Sequence, residues 1–198
     1  MNARAQVSRN RTFAAVLALV VGVLAATDCV AAWKVEENVE PPSYAVTQPA
    51  SSNLNIDSVV LTCEAAGGDG VLQLQIYLTD DGPLRPNGVT AERLKADPRV
   101  EIAVDGKVFP VSILFADEFA VLADGERDHV PLLSDRLLDA MTHGRQMVLR
   151  FDLVAERPGQ APTFDGEARV ELSAALSAVR CPATPPAVSA ASVAFASH

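Results

Sequence analysis

Histidine, cysteine and aromatic residues are scarce in this chain of 198 residues, which has three His, three Cys, one Trp and two Tyr. Three histidines leave few side chains able to exchange protons near neutral pH. His198 is the last residue, and His143 falls in the final turn of a predicted helix, where a cation suits the helix dipole. Only His129, beside Asp128, has acidic neighbours in sequence. No Cys-x-x-Cys pair is present, which excludes the usual thiol–disulfide exchange motif. No Gly-x-Ser-x-Gly elbow, phosphate-cradling glycine loop or close His pair is present either, so no cofactor is expected. Basic residues are outnumbered 16 to 25, giving a net charge of −9. Such a chain repels phosphate backbones and anionic lipid, so nucleic acid is not an expected partner.

The one strongly apolar run, Thr12–Ala26, has 15 residues, short of the ~20 that span a bilayer. It follows a basic segment with Arg4, Arg9 and Arg11 and precedes small residues ending at Ala32. That is the layout of a secretory signal peptide over residues 1–32, with Val30 and Ala32 at the positions that want small side chains. Two alternatives are a retained anchor and a lipoprotein beginning at Cys29, although Asp28 stands where a lipidated cysteine normally has a small neighbour. Removing a leader of net +2 from a chain of net −9 leaves −11. No membrane span is then expected, and the protein is expected to be periplasmic or secreted.

Export leaves Cys63 and Cys181, and an even count in an oxidising compartment reads as a disulfide. The two lie 118 positions apart. Closing so long a loop is assigned about 4–5 kcal/mol by the chain-entropy model. The bridge would tie the first core strand to the last element.

The remaining pattern is mostly β. "SVVLTC" at Ser58–Cys63 is a short β-branched run. "VLQLQIYL" alternates, with Leu72, Leu74, Ile76 and Leu78 on one face and Gln73, Gln75 and Tyr77 on the other. Two strands flank Asp105–Gly106, a dipeptide suited to a type I′ hairpin. Pro110 places its strand along an edge or at a bulge. Strands are further predicted at Phe119–Asp124, Gln146–Val154 and Thr163–Leu172, and an edge strand at Trp33–Val39. Glu40–Asn55 reads as a long loop and Ala91–Pro98 as one helical turn. "VPLLSDRLLDAMTHGR" reads as a helix with Leu133, Leu137, Leu138 and Met141 on one face and Gly144 as its stop. Leu172, Leu176 and Val179 predict a short terminal helix. The expected fold is an antiparallel β-sandwich or flattened barrel of about seven strands and two short helices over residues 33–182. A disordered Pro/Ala/Ser tail is expected over 183–198.

The candidate ligand site is "DGERDH", where Asp124, Glu126 and Asp128 alternate ahead of His129. Carboxylates at such intervals resemble the start of a calcium loop. His129 occupies the sixth position, which wants Gly, and Asp135 the twelfth, which wants Glu. A solvated acidic turn is the plainer reading. The loop Thr79–Gly88 invites the same two readings. A hydrolase built on His129 and an Asp is a third possibility with no motif behind it.

Taken in order, Trp33, "LTC" before an alternating strand, "VEIAVDG", a Leu-rich helix, "LRFDLV" and an apolar run closing on Cys181 form a recognisable layout. It resembles small proteobacterial periplasmic β-proteins, among them type VI secretion-associated periplasmic proteins and invasion-associated locus B proteins. The resemblance implies an accessory envelope protein without known catalysis. The expected function is therefore a non-enzymatic envelope protein that binds a protein or other envelope component through sheet edges and acidic loops. The alternative is a ligand- or cation-binding module built on those loops.

Overall fold

The computed structural model describes residues 32–66, 68–79, 82–116 and 118–181. The leader, Cys29, the tail, His198 and the acidic pair Asp80–Asp81 lie outside them. The described residues form twelve strands: β1 (Lys34–Val35), β2 (Tyr44–Thr47), β3 (Ser51–Ser52), β4 (Ile56–Ala66), β5 (Asp69–Leu78) and β6 (Leu94–Val104) come first. They are followed by β7 (Lys107–Phe115), β8 (Phe119–Ala123), β9 (Gly125–Arg127), β10 (Val130–Leu132), β11 (Gln146–Val154) and β12 (Gly166–Glu171). One α-helix, α1 (Asp135–His143), lies between β10 and β11. Ten strands form one antiparallel sheet in the order β1-β2-β4-β5-β8-β7-β6-β11-β12-β3, and β9 and β10 form a separate hairpin.

The mainly β, antiparallel expectation therefore holds, while the strand count rises to ten in the main sheet. The additional strands are short. β2 and β3 fall inside the segment read as a loop, and β9–β10 inside an acidic loop and the start of the predicted helix. Runs of two to four residues carry too little periodicity to be seen in the sequence.

The sheet curls until its ends approach. β2 lies near one end and β3 at the other, yet only residues 48–50 separate them. The four steps from Thr47 to Ser51 reach at most ~14 Å. Trp33 spans the seam: its indole Nε1 donates to the carbonyl of Glu171 at 2.8 Å, joining the chain before β1 to β12. Between the ends, β7 changes partners. Lys107–Val111 pairs with β6 and Ser112–Phe115 with β8. Pro110 sits in the first half, before β8 pairing begins, so its missing N–H costs the ladder nothing.

The core follows from alternation. Leu61, Leu74, Ile76, Leu122, Ile102, Leu149 and Phe151 are buried from successive strands. Asp105 and Gly106 both have positive φ (46° and 86°), as a type I′ turn demands. The Asp105 carboxylate then accepts from the backbone N–H groups of Arg145 and Gln146, pinning that turn to the start of β11. A register shift interrupts β11 between Asp152 and Val154. There the Asp165 carboxylate accepts from the N–H groups of Leu153 and Val154.

The predicted helix is shorter than expected because Val130–Leu132 pairs with β9. Its face is as predicted: Leu133, Leu137 and Met141 are buried, with Leu138 packed against the core. Gly144 ends it at φ −78°, where a Cβ would meet Val104 Cγ1 at 2.5 Å and the Ala140 carbonyl at 2.8 Å. Space rather than left-handed backbone requires that glycine. The terminal element is a 3-10 helix, Ala174–Ala178, which buries Leu176 and precedes the buried Val179. Ala91–Arg93 is likewise a 3-10 turn, after which β6 begins. No helix among the described residues is long and apolar enough to cross a membrane.

Cys63 and Cys181 are bonded, with Cα atoms 5.2 Å apart. The bridge lies across Gly70 of β5, where a Cβ would come within 2.5 Å of Cys181 Cβ and 2.6 Å of Cys63 Sγ. The staple thus joins β4 to Cys181, three residues past the end of the terminal 3-10 helix, and only glycine leaves room beneath it.

Candidate functional site

The candidate residues Asp124, Glu126, Asp128 and His129 lie on and just before the β9–β10 hairpin. Asp128 and His129 occupy its two turn positions with φ of 50° and 66°. This is again a two-residue turn of the I′ kind, adopted here without glycine. Asp and His are among the residues that best tolerate positive φ. "RDHV" is therefore a hairpin tip, and the turn sends successive side chains apart rather than around one point.

Asp124 faces the helix instead. Its carboxylate accepts from the backbone N–H of Ser134 at 2.6 Å and from the Ser134 hydroxyl at 2.5 Å. The same hydroxyl accepts from the N–H of Leu137 at 3.3 Å, as an N-cap does. Asp124 thus orients the cap of α1, and both of its oxygens are engaged. Glu126 Oε1 lies 3.1 Å from His129 Nδ1, with the imidazole almost wholly in solvent. An exposed pair of this kind is worth about 0–1 kcal/mol. Among the described residues no group of three or more His, Cys, Asp or Glu side chains is placed to hold a metal ion.

The hairpin forms one wall of a cleft of about 580 Å³. Pro110, Val111, Ser112 and Leu114 of β7 face Gly125, Glu126, His129 and Pro131 across it, with Ala123 and Asp124 also lining it. The β7 edge along this cleft is blunted by Pro110, which removes a donor that an added strand would use. The sheet's end strands β1 and β3 are two residues each. These edges are thus poor templates for strand addition.

The loop from Thr79 is also tied down. Asn55 Nδ2 donates to the Pro83 carbonyl, Asn55 Oδ1 accepts from Arg85 N–H, and Leu54 forms a bridge with Pro86. Leu84 is buried beneath it. His143 lies where the helix pattern placed it, 2.9 Å from the carbonyl of Asp139 in the last turn.

The tightest ionic cluster was invisible in the sequence. Lys95 Nζ bonds the buried Asp152 and lies 2.6 Å from Glu156, with Arg99 3.7 Å from Asp152. Burial opposes the charge on Lys95, but hydrogen bonds to Asp152 and Glu156 outweigh it and raise its pKa. The hydrogen bond from Lys95 in turn lowers that of Glu156. These partners lie 57 and 61 positions apart, and no spacing rule connects them.

Among the described residues Val39 is 48% exposed. Val108, Leu114 and Phe115 of β7, with Tyr44 of β2, are large hydrophobic side chains open to solvent; Leu114 is 47% and Phe115 52% exposed. Tyr77 and Phe119 stack beside them with ring centroids 5.3 Å apart. The strands on either side of residues 116–118 were legible in the sequence, but which of their side chains stay uncovered was not.

No family model, no curated protein and no solved structure matches this chain.

Proposed function

We propose that this is an exported, non-enzymatic envelope protein, periplasmic or secreted after loss of residues 1–32, that binds another protein. One observation carries the reading: Leu114 and Phe115, successive residues at the end of β7 and so on opposite faces of it, are each about half-exposed, where solvation of apolar surface is unfavourable unless a partner covers it. The disulfide and the acidic, leader-bearing sequence support the exported setting. The docking surface shifts from sheet edges and acidic loops, as read from the sequence, to the β7–β8 hairpin. The carboxylates that sequence reading offered as ligands have other tasks: Asp124 caps a helix, and Glu126 pairs with His129 in solvent. The cation-binding alternative therefore has no observation in its favour among the described residues.

A photo-crosslinking amino acid at Phe115, in protein expressed from its full sequence with its leader, tests this reading. A discrete cross-linked species in the exported fraction is expected, together with a mature mass that begins at Trp33. Uncleaved protein in the cytoplasm, or no cross-link from Phe115 when one forms from a position elsewhere, overturns it.

A further inference from the structure

Between the start of β6 and the loop that follows β11 lies a cleft of about 400 Å³, a volume that takes a small molecule. Local rules build it. Val154 pairs with Leu94, and the N–H of Ala155 donates to the carbonyl of Arg93 at 2.9 Å, so the two segments stay side by side past the end of β11. Arg157–Gln160 then forms a β-turn, in which the N–H of Gln160 donates to the carbonyl of Arg157 at 3.0 Å. Pro158 takes its second position and Gly159, at φ 83°, its third. A type II turn favours those two residues, and it holds its end residues close together. Asp165 anchors the far side of the loop, its carbonyl accepting from Asn53 Nδ2 at 2.8 Å.

Four polar side chains line this cleft without a partner among the described residues: Arg93, Arg157, Gln160 and Thr163. Acidic residues outnumber basic ones 25 to 16 in this chain, yet no carboxylate holds either guanidinium. The two carboxylates that also line the cleft are engaged elsewhere. Glu156 lies 2.6 Å from Lys95, in a cluster with Arg99 and Asp152 that sets two cations against two anions. Asp165 accepts from the N–H groups of Leu153 and Val154.

From this geometry we infer that the cleft binds a small phosphate-bearing molecule. A guanidinium presents paired N–H donors in a plane that matches two phosphate oxygens. A phosphate monoester carries about −1.5 to −2 charges at neutral pH, which two arginines balance. The Gln160 amide and the Thr163 hydroxyl supply further donors, and Val89 and Val154 give an apolar wall for the rest of the molecule. The net charge of −9 selects a small ligand over a polyanion. Surface charges are screened beyond about 8–10 Å, so the two nearby arginines govern a single phosphate. A nucleic acid or an anionic membrane would instead meet the acidic surface as a whole. No residue of β7 takes part, so the inference stands apart from the protein-binding reading.

Isothermal titration calorimetry on protein produced from the full chain tests it, with glucose 6-phosphate, inorganic phosphate and glucose as probes. Glucose 6-phosphate should bind at millimolar concentration or below, and glucose should not. Arg93→Ala and Arg157→Ala should each weaken binding at least about tenfold, because each removes a charge-assisted contact. Arg157→Lys, which keeps the charge without the paired donors, should recover only part of the loss. Arg127→Ala, on the β9–β10 hairpin, should leave binding unchanged. Both cleft arginines are exposed, and Trp33 fluorescence reports whether their variants remain folded. Inorganic phosphate bound as tightly as the sugar phosphate identifies free phosphate as the ligand. Weaker binding of inorganic phosphate identifies a phosphate ester whose body contacts the apolar wall. Failure of both phosphate probes to bind, or binding indifferent to both alanine variants, overturns the inference.

Discussion

The carboxylate of Asp124 holds Ser134 by two hydrogen bonds, one to the backbone N–H and one to the hydroxyl, and so sets the first turn of α1. Removing an N-cap interaction typically costs about 1 kcal/mol. Asp124→Ala should therefore destabilise the fold by about 1–2 kcal/mol, with Ser134→Ala similar. Because the two act through one contact, the double variant should lose less than the sum. Denaturant unfolding measures this, and a fully additive pair would contradict the shared cap.

Lys95 neutralises a buried carboxylate. Lys95→Met leaves Asp152 with Arg99 at 3.7 Å as its nearest cation, and breaking a buried pair in this way costs about 3–5 kcal/mol. Asp152→Leu added to Lys95→Met should recover much of that loss. The measurement is the unfolding free energy of both single variants and the double.

The same cluster gives a pH dependence. Glu156 has its pKa lowered from an ordinary 4.5, so it contributes stability that is present above that value and lost as pH falls below it. Lys95 has its pKa raised above 10.5, so its contribution holds below that value and is lost as pH rises further. The thermal midpoint should therefore decline at both extremes. Glu156→Gln should flatten only part of the acid limb, because the other carboxylates also titrate there.

Gly70 has no room for a side chain beneath the disulfide. Gly70→Ala forces a Cβ against Cys63 Sγ and Cys181 Cβ, and overpacking of this kind costs about 1–3 kcal/mol. The penalty should shrink when Cys63→Ser and Cys181→Ser remove the bridge. An equal cost with and without the bridge would place the strain elsewhere.

Trp33 is the chain's only tryptophan and is 6% exposed at the seam. Its fluorescence should be blue-shifted in the native state and move to the red in a single transition with unfolding. Trp33→Phe loses the bond to the Glu171 carbonyl, at about 1 kcal/mol, whereas Trp33→Ala should cost about 3–5 kcal/mol.

Three acidic residues show why the site was harder to read than the fold. Asp105, Asp124 and Asp165 each accept two hydrogen bonds, and apart from the Ser134 hydroxyl every donor is a backbone N–H. In the sequence they are indistinguishable from the exposed Glu126 and Asp128. A carboxylate's task depends on which N–H groups the chain brings near it, and those lie up to 41 positions away.

Local chemistry alone determined the β character, the Asp105–Gly106 hairpin, the inward face of α1 and the Cys63–Cys181 pairing. Each rests on a period of two or 3.6, on a dipeptide's tolerance of positive φ, or on counting cysteines. Tertiary structure decided the ten-stranded order, the closure through Trp33 and Glu171, the Lys95–Asp152 pair and the exposure of Leu114 and Phe115 at the end of β7. Those depend on contacts between distant segments, whose energies arise from burial and register once the sheet has curled. No window of neighbouring residues contains them.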